Sequence, residues 1–263
     1  MTGLMDIGVL FLLGAATMLV FLGLFFAVTM PGIDRWSKRF FIAFFLILLL
    51  YCCLAILDQI IFVSFPLTSG YRFLLRVLYY FESLFCSVLM PMLTAYLLHC
   101  CRIDYRHSGF YHAAVILWIV FIFLLNIAPF SELFYYFTPQ NEFVRGPLYS
   151  FSIALLGAIL GLNVAGAIHW RRRLSRRSFC AFLIGLLPMT VAMFIHMFVS
   201  VFTFFGIGIA ICALSMFGII LFDQLDQYLR QQQQIAQHHG AADAPAFHLQ
   251  HNDEHLLSHQ AKP

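Results

Sequence analysis

Hydrophobic and polar positions in this chain do not alternate; they come in blocks. Apolar runs of about 20 residues recur along it, separated by short stretches holding proline or arginine. Seven of these runs are predicted to be membrane-spanning helices: 7–30, 40–65, 73–101, 110–127, 148–170, 179–204 and 206–222. Pro31 and Pro66 stop the first two, whereas Pro91 and Pro188 fall inside the third and sixth and should kink them. At Asp223 the composition turns polar, but helix formers continue through Gln237 and no proline follows until Pro245. The seventh span is therefore expected to leave the bilayer unbroken as a cytoplasmic helix over 223–237. The His-rich remainder, 238–263, is too short and polar to fold and is expected to be disordered. The expected fold is all-α: a polytopic membrane protein with a seven-helix transmembrane bundle over 1–222.

Composition supports this class. Of 263 residues, 62% are hydrophobic and 10% charged, against about 25% charged in an ordinary soluble domain. The runs are too long and too uniformly apolar for barrel strands. The stretches after spans one, three and five hold Arg35, Lys38, Arg39, Arg102, Arg106, Arg171, Arg172, Arg173, Arg176 and Arg177. Those after spans two and four hold only Arg72 and Arg145, with Arg76 just inside span three. The positive-inside rule then puts the N-terminus outside and the C-terminus in the cytoplasm of a cell-membrane protein. The first apolar run lacks a basic flank and is too long for a signal peptide, so it reads as a true span. All seven cysteines lie in or at the ends of spans, where they read as packing residues rather than disulfides.

Ionisable residues inside spans are costly and are functional candidates by default. Asp58, Arg76, Glu82 and His196 qualify. At ~1.5 Å per residue, Asp58, Arg76 and His196 lie roughly 9 to 12 Å below the outer surface. They form a sensing or ligand-binding pocket, or, more plainly, an Asp58–Arg76 ion pair that fastens two helices, or they snorkel to the interface. The connection from Pro129 to Pro147 is external and aromatic. Ser131 is expected to cap a short helix there, and the segment to lie on the bilayer surface or close over an outer pocket. Gly157, Gly161 and Ala165 extend a GxxxG pattern suited to close helix packing. Phe222, Leu225 and Leu229 mark an apolar stripe on the cytoplasmic helix, short for a coiled coil but suited to a parallel homodimer. His251, His255 and His259 share a helical spacing in the tail, without the fixed geometry a metal site needs.

The absences narrow the chemistry. The only lysines are Lys38 and Lys262, so no retinal Schiff base can form within the bundle. There is no phosphate-binding GxxxxGK[ST], no HExxH and no zinc-type cysteine pair. No cofactor, metal or nucleic-acid partner is expected, and no enzymatic activity. No internal repeat is visible, which weighs against many transporter folds.

Two stretches carry a resemblance: FYYFTPQNEFVRGPLYS, from Phe134, and LFDQLDQYLRQQQQIAQ, from Leu221. With the span layout, they make residues 1–237 resemble the N-terminal multi-span sensor region of membrane histidine kinases with a GHKL-type ATPase module, from anaerobic Gram-positive bacteria. The resemblance implies a tyrosine-rich external loop, with Tyr135, Tyr136, Asn141 and Arg145, closing on Arg145-Gly146-Pro147. It also implies a polar helix leading to a cytoplasmic kinase. Only 26 residues follow Gln237, too few for the phosphoacceptor segment and ATPase module of such kinases. The expectation is thus a sensor region of two-component signalling without its kinase, in the lipid bilayer, binding an unidentified small ligand or ion. The alternatives are a small proton- or cation-coupled transporter or channel, using Asp58, Glu82 and His196, and an accessory membrane subunit.

Overall fold

A computed structural model describes residues 2–29, 34–64, 69–131, 133–138 and 143–198, and beyond them a discontinuous set of helical positions between 208 and 235. Six helices follow in order: α1 (Thr2–Thr29), α2 (Arg35–Ser64), α3 (Ser69–Cys100), α4 (Gly109–Ile127), α5 (Tyr149–His169) and α6 (Arg176–Phe198). The first five are long and apolar enough to cross a membrane. A two-stranded antiparallel hairpin, β1 (Tyr135–Phe137) and β2 (Phe143–Arg145), lies between α4 and α5.

Consecutive helices pack against each other, and α3 also touches α5. This makes α3 the centre: 67% of its most apolar stretch is buried, against 22% in α1 and 17% in α4. Those outer helices keep large side chains such as Phe11 and Phe123 exposed, as a lipid-facing surface requires. In such surroundings helix association rests on close packing and polar contacts, because lipid chains are as apolar as leucine. Gly166 shows the closeness required. A Cβ there would meet Phe110 Cζ at 2.7 Å and a Leu97 methyl carbon at 3.0 Å, where α5 crosses α4 and α3.

The arginine-rich ends of the helices gather at one end of the bundle. Trp36 stacks on His99 at 3.8 Å, Phe110 meets Trp170 at 4.9 Å, and Arg173 acts electrostatically on Cys101. The basic residues expected in the first loop belong instead to α2. Asp34 Oδ2 accepts hydrogen bonds from the Trp36 and Ser37 N–H groups, both at 3.1 Å, so the helix is capped five residues earlier than the apolar pattern alone predicts. At the far end of α3 the Ile103 N–H bonds to Leu98 O at 3.0 Å and Arg102 N–H to His99 O at 2.9 Å. This is a Schellman closure, with Arg102 taking the left-handed φ of 57° usually given to glycine. Helices α3 and α6 run through Pro91 and Pro188 as continuous helices.

The connection between α4 and α5 differs from its expectation. Ser131 does not start a helix; it ends a single 3-10 turn (Ala128–Phe130), and its hydroxyl donates back to Ile127 O at 3.1 Å. The aromatic run after it pairs as the hairpin, in register Tyr135 with Arg145, Tyr136 with Val144 and Phe137 with Phe143. Aromatic residues favour extended strand over helix, and cross-strand pairs stabilise that choice.

The chain separates into two compact units, 1–220 and 221–263. In the second, Phe222, Leu225 and Leu229 are helical and exposed, and Gln232 Nε2 donates to the Tyr228 hydroxyl at 3.2 Å. The expected unbroken passage from the seventh span into this helix falls on positions outside the described residues, as does the tail.

Candidate functional site

The candidate site lies toward the other end of the bundle from the gathered arginine-rich helix ends, and has its own Arg76 and Arg145. On α2, Tyr51, Ala55 and Asp58 share one face by their spacing. On α3, Arg76, Tyr79, Glu82 and Cys86 do the same. These two faces meet. Glu82 lies within electrostatic reach of Asp58, and Tyr51 within reach of both. Glu82 is 2% exposed, and Tyr51 is fully buried. Asp58 Oδ1 and Glu82 Oε1 are sealed from solvent without a hydrogen-bond partner among the described residues.

The hairpin closes over this layer. Its hydrogen bonds to the flanking chain fix its seat: Gly146 N–H donates to Phe134 O at 2.7 Å and Leu148 N–H to Leu133 O at 2.9 Å. Phe134 and Tyr135 are thereby buried against Ile61, Leu75, Leu78, Phe121 and Leu125. The Tyr135 ring packs on Tyr79 at 4.3 Å, and its hydroxyl donates to the backbone carbonyl of Arg76 at 3.1 Å. The Tyr79 and Tyr149 hydroxyls approach to 3.5 Å, and the Arg145 guanidinium lies 5.1 Å from the centre of the Tyr149 ring. Burial raises the Tyr135 pKa above that of a free tyrosine; the Arg76 guanidinium opposes this, and the Glu82 and Asp58 carboxylates add to it. Tyr135 thus lies within electrostatic reach of Arg76, Glu82 and Asp58.

A cavity of about 50 Å³ adjoins the layer, lined by Tyr79, Ser83 and Cys86 of α3, Phe121 and Leu125 of α4, Phe134 and Tyr135 of the hairpin, and Tyr149 and Ser152 of α5. It has room for a few waters. A second, open groove of about 520 Å³ runs between α5 and α6 past Gly157, Gly161 and Ala165. A Cβ on Gly157 would meet Met193 of α6 at 3.4 Å, while one on Gly161 would meet nothing, so the small-residue stripe is only partly used in packing.

Of the residues singled out from sequence, Arg76, Glu82 and Asp58 each act electrostatically on Tyr135, and Arg145 pairs with it across the hairpin. Tyr136 is half-buried on the same strand. The side chain of His196 and the whole of Asn141 lie outside the described residues. Sequence reasoning missed Tyr51 and Tyr79. Their signal was spacing: Tyr51 precedes Asp58 by seven residues and Tyr79 precedes Glu82 by three, each on the face of its acid.

Fold and site together define an α-helical membrane protein that carries two buried carboxyl groups under a tyrosine-lined hairpin. Comparison with protein-family models, with curated proteins and with solved structures finds no match to this chain.

Proposed function

We propose that this protein is a membrane receptor whose stimulus site is the polar layer under the hairpin. The observation that carries the reading is the seat of Tyr135, which joins the hairpin to α3 within electrostatic reach of Asp58 and Glu82. A change of charge or occupancy at the two carboxyl groups alters the packing of α2 against α3, and through Tyr135 the seat of the hairpin. In this reading the hairpin end faces outward and the arginine-rich end faces the cytoplasm. Seven spans cross the bilayer, and the helix at 223–237 carries the output as a parallel homodimer to a histidine kinase or response-regulator pathway. The exposed apolar side chains of Phe222, Leu225 and Leu229 support that last step.

A small cation- or proton-coupled carrier is the second reading. It draws on Ser87, Thr94 and Asn163, which are buried polar residues further along the bundle than Glu82. Two of them favour the receptor, however. The Ser87 and Thr94 hydroxyls turn back onto carbonyls of their own helix, Leu84 O at 2.8 Å and Met90 O at 3.2 Å, rather than lining a route.

The test is a cysteine-crosslinking scan of Phe222 to Ala236 in native membranes, with the native cysteines removed. The expected profile peaks about every 3.5 residues, and Asp58→Asn shifts it while the protein remains folded. A flat profile, or one indifferent to Asp58→Asn, refutes the receptor; ion flux into liposomes carrying the purified protein would then favour the carrier.

A further inference from the structure

The groove between α5 and α6 runs along α5 from Ile153 past Gly161 and Ala165 to Ile168, with Thr190 and Met193 on its α6 side. Gly161, Ala165 and Ile168 are exposed, so it opens to the surroundings of the bundle. The one hydroxyl on its walls, that of Thr190, donates to Leu186 O of its own helix at 2.8 Å, which leaves the lining apolar. At ~1.5 Å per residue the groove is about 22 Å long, and its 520 Å³ spread over that length averages about 24 Å² in cross-section. A helix about 10–12 Å across occupies roughly 80–110 Å² and is several times too wide to fill it; a single hydrocarbon chain is not. Beyond Ile168 the two helices that form the groove are joined by a basic turn. The Arg171 N–H bonds to Ile168 O at 3.3 Å, α5 ends at His169 and α6 begins at Arg176. Arg171, Arg172, Arg173 and Arg176 are all exposed there. No Asp or Glu occurs between Arg145 and Asp223, whereas the other basic turns at this end hold Asp34, facing His99, and Asp104, beside Arg106 and His107. The mouth of the groove is therefore cationic without an acid of its own.

We infer that this groove binds an acyl chain of an anionic phospholipid whose phosphate headgroup rests on the arginines of the α5–α6 turn. The two halves of that ligand match the two halves of the site. An apolar slot one chain wide takes the tail, and guanidinium groups donate paired N–H groups to the phosphate oxygens. Basic pockets between transmembrane helices suit anionic headgroups for this reason. A zwitterionic phospholipid brings its own cation to the same arginines, so the groove positions the lipid and the charge selects it. The site is independent of the receptor reading: its lining shares only Ile153 and Met193 with the cavity at the hairpin end.

The test reconstitutes the purified full chain in nanodiscs of phosphatidylcholine with a minor share of phosphatidylglycerol and weighs the lipid it retains by native mass spectrometry. The wild-type protein should retain phosphatidylglycerol in preference to phosphatidylcholine. That preference should fall about fivefold for each arginine removed as Arg171→Gln, Arg172→Gln and Arg176→Gln are combined. Arg35→Gln, Arg39→Gln and Arg106→Gln together, exposed at the same end, should leave it unchanged. Gly161→Leu fills the groove without altering any charge. A Cβ at Gly161 meets nothing, so the variant should keep the unfolding midpoint of the wild type yet lose the retained lipid. Phosphatidylglycerol carrying a diazirine on its acyl chain gives a second readout. It should label the 153–168 segment of the wild-type protein, and Gly161→Leu should remove that label. Equal retention of the two lipids overturns the site, and so does equal loss in the two arginine triples, which would mean diffuse attraction to the whole basic end. Undiminished retention and labelling in Gly161→Leu also overturns it. A dimer that crosslinks through Ala165→Cys in phosphatidylglycerol-containing nanodiscs would give the groove to a second copy of the chain instead.

Discussion

Tyr135 is the residue on which the hairpin depends. Its ring fills the gap beside Tyr79 and its hydroxyl donates to the Arg76 carbonyl at 3.1 Å. Tyr135→Phe keeps the ring and removes the bond, and should weaken the seating of the hairpin by about 0.5–1.5 kcal/mol. Faster hydrogen exchange at the Gly146 and Leu148 amides, with the rest of the bundle unchanged, is the expected readout. The same hydroxyl predicts a pH dependence. Its pKa is raised in the folded protein, chiefly by burial, so folding favours the neutral form. That stability is fully present below the pKa of a free tyrosine, about 10, and is lost as the pH rises from there through the folded value. A spin label at Val144→Cys, with the native cysteines removed, should report the hairpin loosening only in that alkaline range. Tyr135→Phe should abolish the transition. A transition of equal size in both proteins would place its origin elsewhere.

At the scale of the elements, caps and close crossings decide more than apolar periodicity. Asp34 accepts from the second and third N–H groups of α2, so Asp34→Ala should fray its first turn at a cost of about 0.5–2 kcal/mol. Asp34→Asn should retain most of the cap; amide exchange at Trp36 and Ser37 distinguishes the two. Glycines divide sharply. Gly166→Val drives a side chain into Phe110 and Leu97 and should destabilise the bundle by about 1–3 kcal/mol. Gly161→Ala adds its methyl to open space and should leave the unfolding midpoint nearly unchanged. The GxxxG spacing marked Gly157 and Gly161 but not Gly166, because a motif on one helix does not say which of its faces another helix crosses.

For the whole molecule, the gathering of the arginine-bearing helix ends predicts a sidedness. Trp36 with His99, and Phe110 with Trp170, bring those ends together, and the positive-inside rule assigns them to the cytoplasm. In intact cells a cysteine introduced at Arg172 should resist an impermeant thiol reagent, while one at Val144 should react. The opposite pattern would overturn the proposed orientation and turn the hairpin inward. The outer helices α1 and α4, with Phe11, Met18 and Phe123 exposed, should be the ones whose large-to-small substitutions matter least to stability, since lipid already surrounds them.

The chain by itself determined the α-helical membrane class and the approximate places of its first five long helices, because runs of apolar residues long enough to cross a bilayer leave the backbone no other way to satisfy its hydrogen bonds. It also singled out Asp58, Arg76 and Glu82, because charge in such a run is costly wherever the run goes. Only the tertiary structure decided that α2 begins at a capped Arg35, that the aromatic connection is a hairpin rather than a helix, and that Tyr51 and Tyr79 flank the carboxyl groups. Whether Asp58 meets Arg76 or Glu82 depends on the relative rotation and height of α2 and α3. Packing sets both, and no property of either helix alone contains them.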